Sequence, residues 1–333
     1  MSGLKSLGYS IMKEFELIRK YFTEQAVHRK DVLLGIGDDC AVLTPAERQN
    51  IAVTTDTLVS GVHFPENTAA HAIGHKAIAV SLSDLAAMGA EPTWISIAVT
   101  LPEIDETWVS QFCSGVFELC EYYNVQLIGG DTTQGPLSIT VTAQGLTPVD
   151  KHIVRSGAKP GDWLYVTEEI GDAALALKHH YGEIELPNDI LTLVNEKLNY
   201  PQPRVLAGQM LRDYASSAID LSDGLVADLG HICKASSVGV NIVLEDLPIS
   251  NALYDALGQE KAIALALQGG DDYELLFTVS EDNKVGMETA LADTGVSITC
   301  IGQLNAAEKI TTTLNNKPTQ INAHGFEHFS TKE

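Results

Sequence analysis

The sequence predicts an α/β (α+β) protein built as two α/β domains, and three observations lead there. Strand-length apolar runs are interspersed with helical periodicities without a strict strand-helix repeat. At 333 residues the chain is long enough for each of two domains to bury its own core. Prolines, glycines and charges cluster in TPVDKHIVRSGAKPGD, residues 147–162, between two apolar regions. The expected units are therefore residues 11–150 and 151–333, with the C-terminal unit an α/β sandwich.

Ile11, Phe15, Ile18 and Phe22 recur at helical spacing, so an amphipathic helix is expected first. CAVL and NIAVTTD read as strands, AIGHKAIAVSLSDLAAMG as a long helix and WISIAVTL as a strand. ETWVSQFCSGVFELCEYYN is a second helix, followed by strands in VQLIGG and LSITVTAQGL. Beyond the junction WLYVT is a strand, and helices are expected over 171–181, 188–198 and 204–216. SSAID is a strand running into a helix in SDGLVADLGHICKAS; VGVNIVL, YELLFTV and VSITCIGQ supply strands around short helical pieces.

Composition narrows the function. The formal net charge is −23, from 21 basic against 44 acidic residues, and no basic patch stands out. That balance argues against nucleic acid or an anionic membrane as partner. The five cysteines are odd in number, widely spaced and form no CxxC pair, as in a reduced, cytoplasmic protein. No stretch reaches transmembrane length, and the N-terminal segment lacks an uninterrupted apolar core or cleavage signal. Residues 1–10 read as a loose leader outside the fold.

Most of the acid is scattered, but one subset keeps company with glycine, serine or threonine at element ends: Asp38 and Asp39 in GIGDDCAV, Asp56 in VTTDTLVSG, Asp84 in AVSLSDLAAMGA, Asp131 in LIGGDTT, Asp220 and Asp223 in AIDLSDGL, and Asp271 and Asp272 in QGGDDYELL. Singly, several have structural explanations. Ser222 or Asp223 ahead of LVADLGHIC suits a helix N-cap, and Gly-Gly-Asp suits a turn. Asp84 is different, because it is the only charged residue between Ala77 and Ala90 on an otherwise apolar helix. An unpaired buried carboxylate costs several kcal/mol, and the C-terminal half of a helix favours cations, so a nearby cation is expected.

Converging acids repel one another unless cations sit between them. Carboxylate and hydroxyl oxygens without a soft ligand point to Mg²⁺ or Mn²⁺. His71 and His75, four apart on the second expected helix, lack the Glu and third ligand of a zinc site and read as a solvated helix face. The sequence contains no GxxxxGK[ST] loop, no GxGxxG after a strand, no kinase HRD or DFG set and no GxSxG elbow.

Taken in order, GIGDDCAV, TTDTLVSGVHF, LSDLAAMGA, LIGGDTT, RSGAKPGD, IDLSDGL and GGDDYEL resemble thiamine-monophosphate kinase, of the group containing aminoimidazole-ribonucleotide synthetase and selenophosphate synthetase. The match runs from about Glu14 to Phe329. The resemblance implies a homodimer whose N-terminal domains pair through a mixed sheet, with ATP between the N- and C-terminal domains. It further implies Mg²⁺ bound directly or through water by Asp39, Thr54, Thr55, Asp56, Asp84, Asp131, Asp220 and Asp223. Gly130, Asp131, Arg155 and Ser222 would contact ATP, and His63, Asp271 and Phe326 the thiamine monophosphate. Asp56, Asp131 and Arg155 would carry catalysis. Where this family often reads Gly-Gly-Glu-Asp the chain has Asp271, one methylene shorter, and Phe326 stands where tryptophan or tyrosine is frequent.

The implied reaction moves the γ-phosphoryl of ATP to the phosphate of thiamine monophosphate, giving thiamine diphosphate and ADP. The acceptor is already largely ionised, a phosphomonoester having its second pKa at about 6, so no general base is required. Positioning and charge neutralisation remain as the catalytic task, with Phe326 available to a thiazolium through a cation-π contact. Another ATP-dependent enzyme of the same superfamily, a metal phosphohydrolase and a non-catalytic nucleotide sensor are the competing readings.

Overall fold

A computed structural model describes residues 14–319, and Phe326 lies outside them, as does the first turn of the expected N-terminal helix. The described chain opens with α1 (Glu14–Leu17), which widens into a π-helical turn over Ile18–Phe22, a looser element than the periodicity suggested. A small hairpin, β1 (Val32–Leu34) and β2 (Val42–Leu43), carries the Gly35–Cys40 loop between its arms. Then come β3 (Gln49–Val59), α2 (Ala70–Ala87), β4 (Glu91–Leu101), α3 (Glu106–Tyr123), β5 (Gln126–Gln134) and β6 (Ser138–Pro148).

The four long strands form a sheet in the order β3-β6-β4-β5, antiparallel except for the parallel β4–β5 pair. Alternation sorts its two faces. Leu58, Ile97, Val99, Ile139, Val141 and Ala143 are buried on the side carrying α2 and α3, while Ile51 and Val53 are exposed on the other. That other face bears paired threonines, with Thr55 Oγ1 3.0 Å from Thr142 Oγ1 and Thr57 Oγ1 2.9 Å from Thr140 Oγ1. Asp105 caps α3 by accepting from the amides of Thr107 and Trp108, and Asn124 ends it in a left-handed conformation.

Residues 149–162 hold no helix or strand. After them come β7 (Trp163–Thr167), α4 (Asp172–His180), α5 (Asn188–Asn199), α6 (Val205–Leu211) and β8 (Ala215–Asp220). They are followed by α7 (Leu225–Ser236), β9 (Gly239–Val243), α8 (Asn251–Leu257), α9 (Gln259–Gln268) and β10 (Leu275–Val279). The described chain finishes with α10 (Lys284–Ala292), β11 (Ile298–Asn305), β12 (Ile310–Leu314) and β13 (Lys317–Pro318). The helix expected over 204–216 stops at Leu211, because Ala215 already pairs with Val279 in the sheet.

The second sheet orders β13-β12-β9-β11-β7-β10-β8. One face, with Leu164, Val166, Ile219, Leu276, Val240 and Ile242, buries against α7 and α9. The opposite face, with Tyr165, Ala218, Leu275, Phe277 and Val279, joins the core that also contains α2, α6 and α10. Helix α2 is thus shared between the two sheets, and nearly every one of its residues is buried. This explains a sequence that is apolar or small all round rather than striped.

Such close packing needs glycine at the crossings. A Cβ on Gly74 would lie 2.1 Å from the Phe112 carbonyl oxygen on α3, and one on Gly115 of α3 would lie 2.0 Å from the His71 carbonyl. On the far side, a Cβ on Gly208 of α6 would meet the Ala86 carbonyl at 2.0 Å. His75 is buried and its Nε2 hydrogen-bonds the Pro201 carbonyl at 3.0 Å, so only His71 sits on the solvated face expected for both. Burial depresses the His75 pKa, leaving it neutral and structural.

Gly74→Ala is expected to force α2 and α3 apart at a cost of about 1–3 kcal/mol or more, seen as a clear fall in Tm. An unchanged Tm would show that the backbone contact is not as tight as these distances require.

Candidate functional site

The site is assembled around α2. Ser81 Oγ donates to Asp56 Oδ2 at 2.7 Å, and Thr54 Oγ1 donates to Asp84 Oδ2, tying β3 to the helix through two acids. From the second sheet, Asp220 at the end of β8 is only 5% exposed and stands against the same surface. A cleft of about 490 Å³ opens there between the two sheets. Asp56, Asp84, Asp220, Ser222, Asp223, His63, Asp271 and Thr55 are among its lining residues. A second recess of about 510 Å³ shares Asp84 and Asp220 and adds Thr54 and Arg155.

Crowding and burial raise the proton affinity of these acids. Burial, reinforced by Asp84, pushes Asp56 up to about 6. Burial and the charge of Asp84 push Asp220 up to about 8. Asp84 is raised by burial too, against the opposing pull of the Thr54 hydrogen bond and Arg155. Arg155, exposed in the connecting segment, lowers the Asp84 proton affinity through its charge but, among the described residues, makes no ion pair with it. Among the described residues, however, no three His, Cys, Asp or Glu side chains already enclose one metal position.

Two loops from the C-terminal half complete the wall. In Ser222-Asp223-Gly224, Asp228 Oδ2 accepts from all three backbone amides at 3.1 Å each, folding the turn around a carboxylate from the next helix. Burial and Asp223 together push Asp228 up to about 7, against those three donors. Asp271 adopts φ +69° and donates its amide to the Ser222 carbonyl at 3.0 Å, so the two loops are bonded to one another. His63 accepts at Nδ1 from the Val59 amide at 3.0 Å, which orients its ring at the cleft mouth.

Not every expected ligand meets here within one chain. The row through Asp56 crosses the sheet as Val141, Ile97 and Gly130. Three strand steps of about 4.8 Å set the Gly130–Asp131 edge roughly 14 Å from Asp56, beyond sharing one ion. Asp131 belongs to the opposite face of the sheet, paired with Ala98, and its pocket of about 60 Å³ is lined also by Ile36 of the hairpin loop. Asp39 is exposed in that same loop. Thr55 is engaged with Thr142 on the open face. Gly130 has a strict reason for lacking a side chain, since a Cβ would fall 1.9 Å from the Ile97 carbonyl.

Sequence reasoning missed four contributors: Ser81 behind Asp56, Asp228 beneath the Ser222 turn, and Lys76 and Tyr273 beside Asp271, where Lys76 Nζ stands 2.8 Å and Tyr273 Oη 3.1 Å from Oδ1. Asp228 had a local signal, lying six residues after Ser222 at the first turn of α7. Ser81 and Lys76 are marked only by being polar on an otherwise apolar helix.

Residues 37–147 match the family model of the AIR synthase related protein, N-terminal domain, and residues 159–315 that of its C-terminal domain. The chain is 49% identical over 321 residues to the thiamine-monophosphate kinase of Escherichia coli K12, covering 96% of this chain and 98% of that protein. It superposes on the crystal structure of thiamine-monophosphate kinase from Stenotrophomonas maltophilia K279a with TM-score 0.82 and 42% identity, covering 88% of this chain and 93% of that one. The structure of AaThiL complexed with AMPPCP and TMP gives TM-score 0.75 and 32% identity, with coverage of 95% and 97%.

A carboxyl that binds its proton more tightly folded than unfolded stabilises the fold below its unfolded pKa, near 3.8, and loses that contribution as pH climbs to the folded value. In chelator, Tm should therefore fall between pH 4 and 8 as Asp56 and then Asp220 ionise. Asp220→Asn should flatten the fall and raise stability at pH 8 by an amount on the order of a few kcal/mol. A variant no more stable than the parent at pH 8 would mean that Asp220 carries no such strain.

Proposed function

The chain belongs to the thiamine-monophosphate kinases of the AIR synthase related family, and on that premise we propose that it transfers the γ-phosphoryl group of ATP to the phosphate of thiamine monophosphate, releasing thiamine diphosphate and ADP. The observation that carries the reading is the gathering of Asp56, Asp84 and Asp220 on one buried wall between the sheets. Such a wall is stable as three anions only with cations against it.

The donor set fits Mg²⁺: carboxylate and threonine hydroxyl oxygens, with no cysteine among the cleft's lining residues. Thr54, Asp56, Asp84, Asp220 and Asp223 would hold such ions from this chain's own cleft. When bound, Mg²⁺ supplies neutralisation of the triphosphate and fixes its orientation. Ser81 and Thr54 keep the carboxylates of Asp56 and Asp84 turned to the cleft. Arg155 and Ser222 are assigned to the nucleotide. The acceptor phosphate oxygen attacks the γ-phosphorus in line, the bond to the β-γ bridging oxygen breaks, and its electrons leave with ADP. No protein base takes part, in keeping with the engagement of His63 Nδ1 by the Val59 amide.

A homodimer is part of the same proposal. Among the described residues β3 and β5 are the edge strands of the four-stranded sheet, both long, and its open face carries exposed Ile51 and Val53. Edges of this length invite pairing with another chain. A second copy joined edge to edge would carry its Asp39 loop and Gly130–Asp131 edge toward this chain's Asp56, closing the 14 Å gap that one chain leaves. A cytoplasmic location is also proposed. All five cysteines are free, and among the described residues no helix is long and apolar enough to cross a membrane.

Three measurements test these assignments. Thiamine diphosphate formation in a coupled assay should vanish when Mg²⁺ is withheld and return when it is restored. Asp56→Asn and Asp131→Asn should each lower kcat at least a hundredfold with Tm nearly kept; full activity in both at saturating Mg²⁺ removes the metal assignment. Val53→Lys should yield a monomer by analytical ultracentrifugation with activity at least tenfold lower, and a fully active monomer would overturn the joint site.

A further inference from the structure

Helix α2 carries a second charge that none of the metal or nucleotide roles uses. Lys76 is 2% exposed, two helical turns before Asp84 and on the same face, with Val80 of the cleft wall between them. Its ammonium stands 2.8 Å from Asp271 Oδ1 as an ion pair, and among the described residues it is aligned with no hydrogen-bond acceptor. Tyr273 Oη donates to the same Oδ1 at 3.1 Å, and Lys76 Nζ lies 6.0 Å from the Tyr273 ring centroid. The pair is asymmetric. The Lys76 side chain is 3% exposed, while that of Asp271 is 21% exposed and lines the cleft.

We propose that Lys76 is a positioning residue for the acceptor substrate: it holds Asp271 by one oxygen so that the other meets the cationic, N–H-bearing ring end of thiamine monophosphate. This rests on the proposed kinase activity and on Asp271 facing the acceptor. Stability alone gives little reason to bury this pair, since an ion pair taken from water is often no better than apolar packing. Placement gives one. Asp271 has a left-handed backbone in a loop that gives its side chain one hydrogen bond, from Tyr273, and among the described residues that bond and the Lys76 ion pair both fall on Oδ1, leaving Oδ2 for a ligand.

Charge decides which end of the substrate Oδ2 meets. A phosphate would be repelled by a carboxylate, whereas a thiazolium or an aminopyrimidine N–H is attracted by it. The acid group around Asp84 lies about 12 Å along the helix from Lys76, so the two charges of α2 serve different stretches of one cleft wall. Because α2 belongs to one sheet's layer and the Asp271 loop to the other, the pair also bonds the two halves together behind the substrate.

The test is a double-mutant cycle on the full-length enzyme, with Lys76→Met, Asp271→Asn and the combination, at saturating Mg²⁺. Lys76→Met should raise KM for thiamine monophosphate tenfold or more while KM for ATP stays within twofold. In the Asp271→Asn background the same change should cost less than a further twofold, because Lys76 acts through Asp271. Effects that multiply, or a loss confined to ATP affinity, overturn the proposal. Should Lys76→Met alone fail to fold, the double variant, which buries neither charge, is expected to fold and match Asp271→Asn; a double variant tenfold worse also overturns it. If the parent enzyme formed no thiamine diphosphate, the kinase reading would fail separately. The same cycle read by calorimetric binding of thiamine monophosphate would then decide on Lys76.

Discussion

Everything in this structure depends on one helix being wanted by two sheets. α2 is covered on one side by the four-stranded sheet and α3, and on the other by α6 and the second sheet, so any polar atom on it must find a partner at a layer boundary. Ser81 finds Asp56, Asp84 finds Thr54, and Lys76 finds Asp271. The first two contacts reach β3 and the third reaches the loop before β10, and the acids they hold line the cleft. The cost of desolvating three neighbouring carboxylates is carried by the packing around them, which is why their proton affinities rise rather than their positions relaxing.

The fold was legible in the sequence where periodicity was long. α3, α5 and the strand-helix succession around Asp220 lie close to where pattern and capping residues put them. It was illegible where elements are short or decided by pairing. β1, β12 and β13 have few residues to establish an alternation, and Ala215 is a strand residue because of Val279 rather than because of its neighbours. His75 illustrates the limit of helical spacing. The i, i+4 relation to His71 was real, but what covers each of them is a tertiary fact.

The site was legible as a list of acids and only partly as a place. Asp84 stood out because a lone charge on an apolar helix demands an explanation, and Asp56 and Asp220 do converge on it. Glycine-flanked Asp131 and Asp39 gave an equally clear local signal, yet β5 and the hairpin loop carry them to the sheet's other edge. No sequence pattern encodes that distance. Lys76 directly precedes the apolar run that begins at Ala77, so in sequence it looks like the run's charged border and not like a second buried charge.

Mechanical consequences follow from the helix crossings. At Gly74, Gly115 and Gly208 the facing carbonyl oxygens come so near that even a methyl group has no room, which leaves α2 unable to slide or roll against α3 and α6. The jaws of this molecule are therefore fixed like those of a clamped vice, and whatever travel a catalytic cycle demands has to be found in the thin connecting segments, not in the body that grips them.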